Sequence, residues 1–89
     1  MSKAAALITL TIAGSEIRFE PNMTAYNGFI NEMAMDNKIA PAHTYLNRIV
    51  VKEDKEALGE LLELPGAALQ IATTVNEQYA PKLDISVKN

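Results

Sequence analysis

Pro65 and Pro81 bracket a stretch of helical periodicity that the rest of the chain has to pack around. Pro65 suits a first helical position, where no backbone N–H is needed. Pro81 cannot continue a helix and drives Ala80 towards extended geometry, so the helix is expected to end near Tyr79. Between them Ala68, Ile71, Ala72, Val75 and Tyr79 recur at three- and four-residue spacing and make one apolar stripe, which Ala67 and Leu69 widen. Thr73, Thr74, Asn76 and Glu77 fall mostly on the opposite side. The small residues of the stripe allow neighbouring elements to approach closely, so this is read as the central core helix.

The chain of 89 residues supports one domain, 1–89, and buries roughly 60–65% of its unfolded surface. Its 48% hydrophobic and 21% charged residues are ordinary for a globular fold. Without cysteine there is no disulfide framework, thiolate nucleophile or thiolate metal site. The opening Met1-Ser2-Lys3-Ala4-Ala5-Ala6-Leu7-Ile8-Thr9-Leu10 is too short and too threonine-rich for a secretory signal, and no run suits a membrane span. Asn22-Met23-Thr24 matches a glycosylation sequon that is expected to be silent in an intracellular protein. Net charge is −3, with the eight basic residues scattered rather than gathered on one stretch, which argues against a nucleic-acid partner.

Residues 5–20 carry a hairpin signal. Leu7 to Ile12 is β-branched and alternating, Glu16 to Glu20 alternates, and Ala13-Gly14-Ser15 separates them. A type II′ turn at Gly14-Ser15 would set Ile12 opposite Ile17 and Leu10 opposite Phe19, with Thr9, Thr11, Arg18 and Glu20 on the other face. After Pro21, Thr24 is the expected N-cap of a helix running to about Met35, with Tyr26, Phe29, Ile30 and Met33 as its stripe. Asn27-Gly28 offers a rival hairpin reading, rejected because Phe29 to Met33 does not alternate; Gly28 weakens the helix by roughly 1 kcal/mol. Asp36-Asn37-Lys38 reads as a turn. Pro41 opens a second helix to about Val50, with Ala42, Tyr45, Leu46 and Ile49 inward. Glu53 and Asp54 favour the start of a third, whose stripe is Ala57, Leu58, Leu61 and Leu62 and whose outer face carries Glu56, Glu60 and Glu63. Beyond Pro81, Leu83, Ile85 and Val87 alternate strictly, which predicts a terminal strand added beside the first, more apolar strand. The order is then β–β–α–α–α–α–β: an α+β fold with a three-stranded, antiparallel or mixed sheet and about four helices covering one face.

No catalytic constellation stands out. His43 is the single histidine, off the apolar stripe of its helix and without a neighbouring nucleophile or second metal ligand, so it reads as structural or capping. The acidic residues of the third helix read as a solvated face rather than an acid–base pair. Gly14 and Gly66 do not form a phosphate loop. No enzyme activity, metal or cofactor is expected. Met23, Met33, Met35 and Ile39 are less bland, because methionine adapts to varied apolar partners. Their structural reading is core filling; the functional one is an exposed apolar edge for a helical partner.

Tyr26-Asn27-Gly28-Phe29-Ile30-Asn31-Glu32-Met33, Asn37-Lys38-Ile39-Ala40-Pro41-Ala42-His43 and Leu64-Pro65-Gly66-Ala67-Ala68-Leu69-Gln70, with the closing Tyr79-Ala80-Pro81-Lys82-Leu83-Asp84-Ile85 and the threonine-rich opening, resemble the tail assembly chaperones of tailed bacteriophages. The likeness spans almost the whole chain and rests on turns and core positions, so it transfers no catalytic residue. It implies a small non-enzymatic protein of a phage or prophage, acting in the cytoplasm of the bacterial host. The expected client is the long helical tape-measure protein, with the tail-tube protein as a further partner and self-association an option; no nucleic acid, membrane or small-molecule substrate is implied. The competing reading from a different class is a small antitoxin-like regulator or minor virion component acting through protein contacts.

Overall fold

The computed structural model describes residues 7–88. Strand β1 (Ile8–Ile12) and strand β2 (Ser15–Phe19) form an antiparallel hairpin, followed by α1 (Met23–Glu32), α2 (Ile39–Ile49), a 3₁₀ turn at Lys52–Asp54, α3 (Lys55–Leu61) and α4 (Ala67–Tyr79). The α+β class and the four helices agree with the sequence reading.

The hairpin keeps its expected faces but not its expected turn. Ile8 pairs with Phe19, Leu10 with Ile17 and Ile12 with Ser15, a register two residues from the predicted one. Because side chains alternate with a period of two, that shift leaves Ile8, Leu10, Ile12, Ile17 and Phe19 on one face. The turn is Ala13-Gly14 with φ of 50° and 88°, positive at both central positions as a type I′ turn requires. Its twist matches that of the strands, and this outweighs the strain of about 1–2 kcal/mol on a left-handed alanine. Ala13→Asn, which makes the favoured Asn-Gly pair, is expected to stabilise the protein by about 0.5–1 kcal/mol. The check is a urea midpoint that rises with unchanged slope; an unmoved midpoint would contradict the assignment.

The predicted third strand is absent among the described residues. The sheet has two strands, and Pro81 to Lys88 are exposed without regular structure. The middle position belongs to β2 rather than β1, since the chain leaving α2 flanks its other edge. Phe19 bridges Val50, the Glu20 N–H donates to the Ile49 carbonyl at 2.7 Å, and the Val51 N–H donates to the Arg18 carbonyl at 2.9 Å. Asp54 fastens the same edge, accepting from the Arg18 backbone N–H at 2.8 Å and from its guanidinium at 2.9 and 3.2 Å. These bonds from the Arg18 side chain, then from its backbone, hold the Asp54 carboxyl below its ordinary value. The tail instead leaves α4 beside α1, where Ala80 and Lys82 line a groove with Phe29, Ile30 and Met33.

Three helix starts also move, and α2 opens at Ile39 rather than at Pro41. The N-cap of α1 is Asn22, whose Oδ1 accepts from the Ala25 N–H at 2.8 Å, not Thr24. The last helix begins at Ala67 because Gly66 lies at φ 78°, a left-handed residue that reverses the chain after Pro65. Through Asn27-Gly28 the chain is helical, and a Cβ on Gly28 would sit 3.1 Å from the Arg48 guanidinium, so glycine leaves that side chain room against α1.

Helix α2 lies between α1 and α4 and packs on both, while β2 packs on α3. Ala42, Tyr45, Leu46 and Ile49 meet Ala68, Ile71, Ala72 and Val75 in one core that also takes Ile17, Phe19, Ala25, Phe29, Leu58 and Leu62. Tyr45 stacks on Phe29 at 4.9 Å, takes Tyr26 edge-on at 6.5 Å, and donates its hydroxyl to Asn76 Oδ1 at 2.7 Å. Tyr26 in turn leans on Tyr79 at 5.8 Å. One aromatic cluster thus joins three helices.

Candidate apolar docking surface

The C-terminal end of α1 leaves part of its apolar stripe uncovered, with Ile30 and the C-cap Met33 exposed. Phe29 turns into the core and stacks on Tyr45, which leaves Ile30 and Met33 facing α4 across a shallow groove of about 500 Å³. Leu69 and Ala72 form its apolar α4 wall, and Thr73, Asn76, Glu77 and Lys82 make the rim polar. A second depression of about 230 Å³ lies between the start of α2 and the connection from α3 to α4, where Ile39 and His43 face Leu62, Leu64 and Ala68. Leu69 lines both, so the two form one apolar surface with Ile30, Met33, Ile39 and Leu64 exposed along it.

The four residues singled out from sequence do not all meet there. Met33 is the C-cap of α1 and is 36% exposed, on the groove rather than in the core stripe where its spacing placed it. Ile39 opens α2 and is 60% exposed. Met35 is 93% exposed at the tip of a tight turn, in which Ala34 and Asn37 exchange two backbone hydrogen bonds of 3.1 Å. Met23 is exposed in the first turn of α1, about 15 Å along the helix from Met33, and lines neither depression. Ile30, Leu64 and Leu69 were not singled out. The available signal was the width of the α1 stripe, where Ala25, Tyr26, Phe29, Ile30 and the C-cap Met33 spread over an arc of about 140°, with Ile30 at one edge.

The surface has little chemistry beyond apolar contact. His43 contributes a half-buried ring to the smaller depression, and its carbonyl accepts from Asn47 Nδ2 at 2.9 Å. Among the described residues no group of three acidic, cysteine or histidine side chains converges as a metal site would, and no helix is long and apolar enough to cross a membrane.

A family model described as phage tail assembly chaperone matches residues 8–89. This chain belongs to that family. The chain is also similar to the uncharacterized 11.3 kDa protein in the lys 3′ region of Haemophilus phage HP1 (strain HP1c1). It is 40% identical over 82 residues, which cover 92% of this chain and 80% of the relative. No solved structure matches. For a tail assembly chaperone, an apolar surface with a polar rim and without convergent reactive groups is the feature that needs explaining.

Proposed function

We propose that this tail assembly chaperone is non-enzymatic and acts in the host cytoplasm by holding the tape-measure protein during tail-tube assembly. The observation that carries the reading is the continuous apolar surface formed by Ile30, Met33, Ile39, Leu64 and Leu69. An amphipathic helix laid in a shallow groove is recognised through apolar anchors on one face, which suits a long helix-forming client. Shallow walls with a methionine at the lip accommodate many registers of such a helix, whereas a deep pocket would select one. Met35, exposed on the turn four residues before Ile39, lines neither depression but extends the contact past the start of α2; Met23, at the other end of α1, also lines neither.

Co-expression with a tape-measure protein of the same phage, followed by affinity capture, tests the reading. The wild-type chain is expected to recover the tape-measure protein in soluble form. Met35→Asp together with Ile39→Asp is expected to weaken capture at least about tenfold, the loss of roughly 1.4 kcal/mol from a contact centre. Both side chains are exposed, so the variant should melt where the wild type does. No capture by the wild type would refute the function. Full capture by a well-folded double variant would refute the surface.

A further inference from the structure

The free edge of β1 and the exposed C-terminal segment are complementary, and neither has a partner among the described residues. Ile12 and Ser15 close the two-residue turn, so the pairs alternate inward from there. Thr11 with Glu16 and Thr9 with Arg18 are the pairs that do not bond to one another. The corresponding backbone groups of Arg18 confirm the pattern, since its N–H and carbonyl point outward to Asp54 and Val51. Thr9 and Thr11 therefore present their N–H and carbonyl groups at the open edge of β1. Proteins commonly blunt such an edge with lysine or proline, but Ile8-Thr9-Leu10-Thr11-Ile12 contains neither.

Beside that edge runs a groove of about 450 Å³ walled by Leu10, Ile12, Leu61, Leu64, Ala67 and Ile71. It is lined for apolar side chains spaced along a strand. The segment Lys82 to Lys88 supplies them, with Leu83, Ile85 and Val87 exposed at 69%, 79% and 81% and polar residues between them. Seven extended residues span about 23 Å, enough to cover the roughly 17 Å of β1. Within one chain the segment is not seated there. The groove runs along α4 from Ala67 to Thr74, whereas the segment departs from the C-terminal end beside α1.

We infer that the occupant is a second copy of this chain: residues 82–88 of each protomer add as a strand to the β1 edge of the other, with Leu83, Ile85 and Val87 in the groove. A two-fold arrangement satisfies both edges at once, because every chain carries one donor segment and one acceptor edge. Backbone hydrogen bonds supply the pairing and the apolar groove sets which face turns inward.

Sedimentation of the full chain over a range of concentrations tests this. A concentration-dependent dimer is expected, and both truncation after Ala80 and Thr9→Pro should leave a monomer with unchanged far-ultraviolet dichroism. Since the chain has no cysteine, mixed single variants report the pairing directly. Oxidation of Thr9→Cys or Thr11→Cys with Asp84→Cys or Ser86→Cys is expected to give a disulfide-linked heterodimer from at least one pairing. A full-length chain that stays monomeric at every concentration would overturn the inference. So would a dimer that survives truncation, no cross-link from any pairing, or an edge that takes a client peptide while the chain remains monomeric.

Discussion

Replacing Tyr45 by alanine is expected to remove about 3–5 kcal/mol of stability, the range for deleting a large ring from a packed core. A chain of this size holds roughly 4–13 kcal/mol in total, so the variant should stand at the edge of unfolding. Tyr45 is only 1% exposed, and its ring is the piece that α1 and α4 share through Phe29, Tyr26 and Asn76. Tyr45→Phe keeps the ring and loses the hydroxyl, at a cost of about 1 kcal/mol, because half-buried Asn76 can turn to water instead. The phenol adds a pH signature. Burial first, then the neighbouring Tyr79 and Tyr26, pushes its pKa from 10.0 up to about 12. The unfolded chain ionises first on the way up, so the stability is complete below pH 10 and is lost progressively between 10 and about 12. Urea melts of wild type and Tyr45→Phe should therefore converge as pH climbs through that interval. Parallel curves, or an alanine variant within 1 kcal/mol of the wild type by the standard of ordinary surface changes, would deny Tyr45 this place.

The parts of the fold that were legible in the sequence are those in which one element decides its own burial. Ala42, Tyr45, Leu46 and Ile49 follow from the period of α2 alone, and Ala68, Ile71, Ala72 and Val75 from that of α4. The faces of the hairpin were legible for the same reason. Its turn was not: glycine at position 14 fits either of two overlapping turns, and nothing in the composition marks Ala13 as a residue that will sit at φ 50°. The tail failed differently. Alternation in Leu83, Ile85 and Val87 says what the segment can pair with, but not whether the end of α4 points it at an edge. Here the chain leaves beside α1, and the edge of β2 is taken by Val50 and Val51 from the nearer end of α2. The candidate surface was half legible. Residue type drew attention to Met33 and Ile39, whereas Ile30 and Leu69 look like stripe residues until the angles between helices are known. Family membership fits that picture, since the resemblance rested on turns and core positions spread over the chain and the matching family model covers residues 8–89.

Phe19 and the C-terminal tail present similar apolar surface in sequence terms, yet opposite outcomes are expected on removing them. Phe19→Ala should cost about 3–5 kcal/mol. Phe19 is fully buried in the middle of the sheet, paired with Ile8 on one side and bridged to Val50 on the other. Its loss would leave a cavity that two fixed neighbours cannot collapse to fill. Truncation after Ala80, by contrast, removes Leu83, Ile85 and Val87, which as buried strand residues would be worth roughly 1.5–3 kcal/mol each. Exposed as they are, they contribute almost nothing to a single chain, and the truncated protein should unfold within about 0.5 kcal/mol of the full one at concentrations where both are monomeric. Denaturant titration of the two variants side by side decides the matter. A truncation that costs several kcal/mol in dilute solution would place the tail back on its own sheet, and a mild Phe19→Ala would mean that β2 is not the strand on which the hairpin is anchored. With both as expected, the sheet is held from the α2 side through Val50, Val51 and Asp54, which is what leaves β1 open and the tail available to another molecule.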